Sequence, residues 1–269
     1  MSLFLSNRNA IAQTGLSVSP LGLGTVKLGR DTGVKYPTAF SIPNDQQAMA
    51  LLNQAWDLGI NFLDTAPAYG TSEQRLGDLL PKLDHDWVIA TKVGETFNPA
   101  SAESDYNFTP EFIQRSVQTS LKNLRRDVLD IVLIHSDGQD KTIIEQYGAL
   151  DVLNNLKQQG LIRATGMSTK TVEGGLLAIQ QSDVAMVMHN LSYQDEQAVI
   201  DTAANENKAI FIKKALSSGH LASSTAETDP VQANFDFIYQ APAVVSIIVG
   251  TITPEHLHDN VKKAIKALA

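Results

Sequence analysis

Eight short apolar runs, each followed by a stretch of helical character, recur along these 269 residues. They are Leu21–Gly24, Asn61–Asp64, Trp87–Lys92, Val128–His135, Ile162–Ser168, Val184–Asn190, Ala209–Lys213 and Val244–Val249. Short β-branched runs bounded by turn residues read as strands buried on both faces. Start and stop signals mark the helices between them. Asn44 precedes DQQAMALLNQAWDLG as an N-cap, Thr71-Ser72-Glu73-Gln74 reads as a capping box, and Thr109 is followed by Pro110 at the first helical position. Gly59 and Gly160 stand where helices stop. No Pro-, Gly- or Ser-rich linker divides the chain, so residues 1–269 are expected to form one α/β domain, a (β/α)8 TIM barrel. The rival is a doubly wound open sheet, but no GxGxxG follows the first strand. The segment FLSNRNAIAQTGLSVSP holds two short runs around Asn7-Arg8-Asn9, which suggests a hairpin closing the barrel bottom.

Three of the first four strand-like runs end in an ionisable residue: Asp64, Lys92 and His135. Charged groups are almost never buried unless paired, so three strand ends of this kind point to one shared polar site. Tyr69 lies five residues after Asp64 and can converge on it. In a barrel the loops after the strands line the active face. Arg30–Pro43, Glu95–Phe108 and Ser217–Asp229 are the long ones, and Tyr36, Phe40, Phe97, Tyr106 and Phe108 are their candidate pocket walls.

The residue types fit carbonyl chemistry. Hydride addition to a carbonyl leaves an oxyanion that must be protonated. A phenol with an ordinary pKa of about 10 exchanges protons poorly near neutrality, and a neighbouring ammonium typically lowers it by about 1–3 units. Lys92 is placed to do this for Tyr69, Asp64 to hold Lys92 charged, and His135 to donate a hydrogen bond to the substrate oxygen.

LSVSPLGLGTVKLGR, FLDTAPAYGTSEQRLGDLL, ATKVG, SLKNLRRDVLDIVLIHSD, GLIRATGMST and VSIIVGTITPEHLHDNV stand in order at strand–helix spacing. With the four polar residues in place, the chain resembles the aldo-keto reductase family nearly end to end. The resemblance implies a barrel that binds NADPH, with NADH as the alternative, and interconverts aldehydes or ketones with alcohols. It implies the same four roles for Asp64, Tyr69, Lys92 and His135. It also implies cofactor contacts: Gly24 and Thr25 near the nicotinamide ribose, Ser168 and Thr169 at the carboxamide, and Ala215 and Leu216 in the pyrophosphate loop. Gly250, Thr251, Thr253, His256 and Asn260 match the phosphate and adenosine loop. The chain departs from the pattern in places. Thr169 replaces a usual asparagine, Met186 a glutamine that anchors the amide, and Lys213 an aromatic that stacks on the nicotinamide. His256 is the only candidate cation in a loop where relatives often carry Lys or Arg for the 2′-phosphate. His189 stands at a usually aromatic position and reads as structural or pocket-lining.

A net charge of −8 argues against nucleic acid, and no cysteine is available for disulfides or thiolate ligands. The first strand carries no His-x-His, and no metal site is expected. The first residues lack a signal-peptide pattern and no apolar stretch spans a bilayer, so a cytoplasmic protein acting on a small molecule is expected. Two other readings stay open: a nicotinamide-nucleotide-binding subunit without turnover, and a Schiff-base lyase using Lys92, Lys213 or Lys214.

Overall fold

β1 (Asn9–Ile11) and β2 (Leu16–Val18) pair antiparallel. The barrel begins with β3 (Leu21–Gly24), β4 (Phe62–Asp64) and β5 (Val88–Val93). A second antiparallel hairpin, β6 (Glu95–Asn98) and β7 (Glu103–Tyr106), follows directly. The barrel resumes with β8 (Leu129–His135), β9 (Ile162–Ser168), β10 (Val184–Met188), β11 (Ala209–Lys213) and β12 (Val244–Val249). These eight strands form a closed parallel ring, sealed where Leu21 of β3 lies opposite Ile247 of β12. This computed structural model describes residues 5–11, 13–34, 36–217 and 229–269. The interior of the predicted loop Ser217–Asp229 lies outside them.

The helices that join the strands are α1 (Asp45–Asp57), α2 (Ser72–Leu79), α3 (Pro110–Leu124), α4 (Asp140–Glu145), α5 (Ala149–Gln158), α6 (Val172–Gln181), α7 (Gln197–Asn205), α8 (Pro230–Ile238) and α9 (Pro254–Ala267). The predicted (β/α)8 barrel is therefore what the chain forms, with α4 inserted before α5.

Successive residues of a strand face opposite sides, and both sides here are apolar. Phe62, Ala90, Ile131, Leu133, Ala164, Met186 and Phe211 fill the inside of the ring. Leu63, Ile89, Val132, Ile134, Ile210 and Ile212 pack outward against the helices. The rings of Phe62 and Phe211 meet at 4.7 Å across the barrel axis. Ile11, Leu16 and Val18 join the inner cluster, so the first hairpin plugs the bottom as expected. Its turn, however, is not at Asn7–Asn9. It lies between β1 and β2, where Gln13 and Gly15 take left-handed φ values of 64° and 69°. Asn9 instead anchors the hairpin, its Nδ2 donating to Val245 O at 2.9 Å.

Asn44 caps α1 as expected, in a reciprocal capping box with Gln47. Three other local readings change. Thr71 makes no capping bond, and Ser72 and Glu73 turn inward. The Ser72 hydroxyl bonds the Thr25 hydroxyl at 2.8 Å, and Glu73 accepts from Thr91 at 2.6 Å and from Asn123 at 3.2 Å. Thr109 caps α3 by position only, since Asn107 accepts both its N–H and its hydroxyl. Glu95–Phe108 is the hairpin β6–β7 rather than an irregular loop. Gly94 opens it at φ 103°, where a Cβ would lie 2.4 Å from the Phe108 ring.

Candidate active site

β4 delivers Asp64 to the upper rim of the ring, and β5 and β8 deliver Lys92 and His135. Tyr69 reaches the same place through a short 3-10 turn, Pro67–Tyr69. That turn stops at Gly70, whose φ is 63° and whose Cβ would sit 2.2 Å from the Gly29 carbonyl oxygen, so only glycine fits. The four residues predicted from the sequence are thus gathered at one rim.

Lys92 is 1% exposed. Its Nζ donates to Asp64 Oδ1 at 2.5 Å, to Thr65 O at 2.9 Å and to Tyr69 Oη at 3.1 Å. An ammonium has three donors, and all three are used. Tyr69 Oη in turn reaches Asp64 Oδ2 at 3.5 Å, and the Tyr69 and His135 rings meet edge to face at 6.2 Å. Burial of such a pair is tolerable only because each charge is satisfied.

The expected effect of Lys92 on Tyr69 does not dominate. Burial, and then the negative charge of Asp64, hold the Tyr69 phenol well above the ordinary value. Lys92 is neutralised by Asp64 at closer range, so little of its field is left for the phenol. Tyr69 is accordingly a held proton, not a standing phenolate.

Glu95 was not among the predicted site residues. Its Oε2 lies 2.7 Å from His135 Nδ1, close but out of line with the ring N–H, and Oε1 accepts from Ser104 Oγ at 2.6 Å. Burial works against the Glu95 charge. The contacts to His135 and Ser104 and the field of Arg30 outweigh it and hold the carboxyl at about 2. Burial also pulls His135 below the ordinary imidazole value, helped by Lys92 and Lys213 and opposed by Glu95. The only sequence signal was an acid one residue beyond the Gly94 that ends a buried strand. Arg30 ties the first long loop to this hairpin: its guanidinium lies 3.5 Å from the Phe97 ring centroid and donates to Ala68 O at 3.0 Å.

The residues proposed for the cofactor line the opposite arc of the rim. Lys213 ends β11, half-buried, donating to Ser168 Oγ at 2.9 Å and Thr169 O at 2.5 Å. Burial brings it down to about 8, against the pull of Glu196. Glu196 holds Thr169 Oγ1 at 3.2 Å and Met188 N at 2.9 Å. Gly24 ends β3 beside Ile248, and Gly250 follows β12 with the Tyr36 hydroxyl nearby. The Thr25 hydroxyl is already committed, donating to Asp64 O at 2.9 Å. Ala215 is buried and Leu216 half-buried in the turn after β11. Thr251 Oγ1 accepts from Thr253 N at 3.1 Å, and Thr253 precedes α9 without capping it through its side chain. On that helix Asn260 is buried and His256 exposed. Met186 is buried in the inner cluster of the barrel, opposite Ser168 in the strand register. His189 is buried against Phe237, rings 4.8 Å apart.

Comparison with known proteins gives consistent matches. The profile of the Aldo/keto reductase family covers residues 20–236. A crystal structure of a Pseudomonas aeruginosa protein described as an aldo-keto reductase superposes with a TM-score of 0.88 at 47% identity, covering 100% of this chain and 98% of that one. Pyridoxine 4-dehydrogenase of Escherichia coli is 27% identical over 264 residues, 91% of this chain and 88% of the enzyme. D-threo-aldose 1-dehydrogenase of a Pseudomonas species is 27% identical over 250 residues, 83% of this chain and 74% of the enzyme.

Proposed function

Since this chain belongs to the aldo/keto reductase family, an oxidoreductase family, we propose that it reduces aldehydes or ketones with NADPH, Tyr69 giving the proton. The observation that carries this reading is the Tyr69 hydroxyl, which accepts from Lys92 at 3.1 Å and faces Asp64 at 3.5 Å. A phenol held protonated is matched to giving up its proton to a developing alkoxide rather than to abstracting one at neutral pH.

The opposite arc fits a nicotinamide dinucleotide. Thr253 makes no side-chain cap, so the first amides of α9 are left for a phosphate, and glycines at 24 and 250 keep side chains out of the approach. Gly24, Thr25, Ser168, Thr169, Lys213, Ala215, Leu216, Gly250, Thr251, Thr253, His256 and Asn260 would hold it. When bound, the cofactor supplies the hydride. Lys92 keeps the Tyr69 hydroxyl aimed at the rim, and Asp64 keeps Lys92 in place. As the proton leaves, Lys92 stabilises the resulting phenolate, a contact that strengthens as charge develops. His135 orients the carbonyl oxygen.

The segment 250–260 contains no Lys or Arg, so a 2′-phosphate there would lack a charge-assisted partner within it. That observation keeps NADH as the second reading. Titrating the protein with NADPH and with NADH, then screening aldehydes with the tighter cofactor, tests both. Absence of turnover over a broad panel would refute the reductase reading, and tighter NADH binding would reassign the cofactor.

A further inference from the structure

The closest contact of His135 is neither Tyr69 nor Lys92 but Glu95 Oε2, 2.7 Å from Nδ1. A carboxylate offers only lone pairs, and although Oε2 sits out of line for a hydrogen bond to Nδ1, its charge at that distance favours a proton on this nitrogen over a lone pair. The reverse arrangement would set an imidazole lone pair against an anion. Glu95 stays ionised throughout the ordinary pH range, because Ser104 and Arg30 as well as His135 stabilise its charge. No described residue bonds the other ring nitrogen, Nε2. In neutral imidazole one nitrogen donates and the other accepts.

We infer that Glu95 is a positioning residue that fixes the Nδ1–H tautomer of His135, so that Nε2 is an acceptor on the neutral ring and a donor only on the imidazolium. This rests on the reductase reading for its consequence but not for the tautomer itself. A carbonyl oxygen needs a donor. His135 therefore orients a carbonyl only in its imidazolium form, and an alcohol hydroxyl only in its neutral form. The groups facing the ring are Glu95 from β6, Lys92 from β5, Lys213 from β11 and Tyr69 from the turn after β4. Glu95 favours the imidazolium and the two lysines oppose it. Burial, with the two lysines, outweighs Glu95 and favours the neutral ring, so carbonyl reduction should weaken as pH rises through the His135 titration.

The test uses the cofactor-free protein labelled with 15N-histidine, with the His135 signals assigned by their loss in His135→Gln. Above the His135 titration, the wild type should show the proton on Nδ1, and Glu95→Ala should move it largely to Nε2. A wild-type ring protonated on Nε2 overturns the inference, whatever the enzyme does. The kinetic counterpart is the pH profile of carbonyl reduction. Wild-type kcat/KM should fall about tenfold per pH unit above the His135 pKa. In Glu95→Ala that limb should disappear, because the neutral ring then donates through Nε2. A limb unchanged in the variant also overturns it. An Nδ1–H signal in a protein that reduces no carbonyl would leave this tautomer standing and sink the reductase reading instead.

Discussion

Two antiparallel hairpins attach to opposite ends of the same barrel, and their chemistry is inverted. β1–β2 turns Ile11, Leu16 and Val18 into the inner core, and each is at most 3% exposed. β6–β7 follows β5 at the rim and turns Glu95 toward His135, Ser104 and Arg30, with Phe97 under the Arg30 guanidinium. One end is closed by apolar burial, which is strong and indifferent to pH. The other is held by charged contacts whose strength depends on ionisation. The same backbone device thus stabilises the fold at one end and tunes the chemistry at the other.

If that division holds, damage at the rim should remove activity without melting the protein, and damage below should do the reverse. The largest effect is expected for Tyr69→Phe: loss of turnover by about 10²–10⁴-fold with cofactor affinity and Tm retained, because only a proton donor is deleted. Full activity in this variant would refute the proton role. Phe211→Ala, in the inner core, should cost about 3–5 kcal/mol by denaturant titration through the cavity it leaves. Leu16→Ala in the lower hairpin should cost about 2–5 kcal/mol by the same measurement, with kcat unchanged at temperatures where it stays folded. Its upper counterpart, Phe97→Ala, should cost only about 1 kcal/mol, the worth of a half-buried cation–π contact, yet alter KM. Equal destabilisation by the two would erase the contrast.

The smallest effect is in acid. The Glu95 carboxyl lies at about 2 in the folded protein, below its ordinary value of 4.5. A depressed pKa means that the folded state favours the ionised form. The stability it contributes is complete above about pH 4.5 and is lost as pH falls toward 2. Acid unfolding curves of Glu95→Gln should lack this component, so the stability difference from wild type should be full at pH 7 and shrink as pH falls toward 2. A parallel acid dependence in the variant would show that other carboxyls carry it.

The two hairpins also differ in how far the sequence announces them. The barrel strands could be read because apolar residues on both faces leave unmistakable runs, and because Asp64, Lys92 and His135 are polar exceptions within them. The lower hairpin was visible as two apolar stretches, although its turn was placed early: Gln13 gives no warning that it accepts a positive φ. The upper hairpin was invisible, since ETFN and ESDY alternate too weakly to stand out from a loop. Glu95 was missed for the same reason, because a glutamate beside a loop is by default solvated. Thr71-Ser72-Glu73 shows the opposite failure, a convincing helix-start pattern whose side chains serve Thr25 and Thr91 inside the protein. The direction of the Tyr69 shift depended on distances, since Lys92 lies nearer to Asp64 than to the phenol.

The seam between β3 and β12 has a consequence for how the molecule is made. Asn9 bonds Val245 across 236 positions, and Leu21 meets Ile247 nearby. Neither edge of the growing sheet can be covered until the last strand leaves the ribosome. Unpaired edges invite pairing with other chains, and contacts this distant in sequence come late in assembly. Ring closure therefore cannot precede synthesis of β12, the strand that the lower hairpin also holds from beneath.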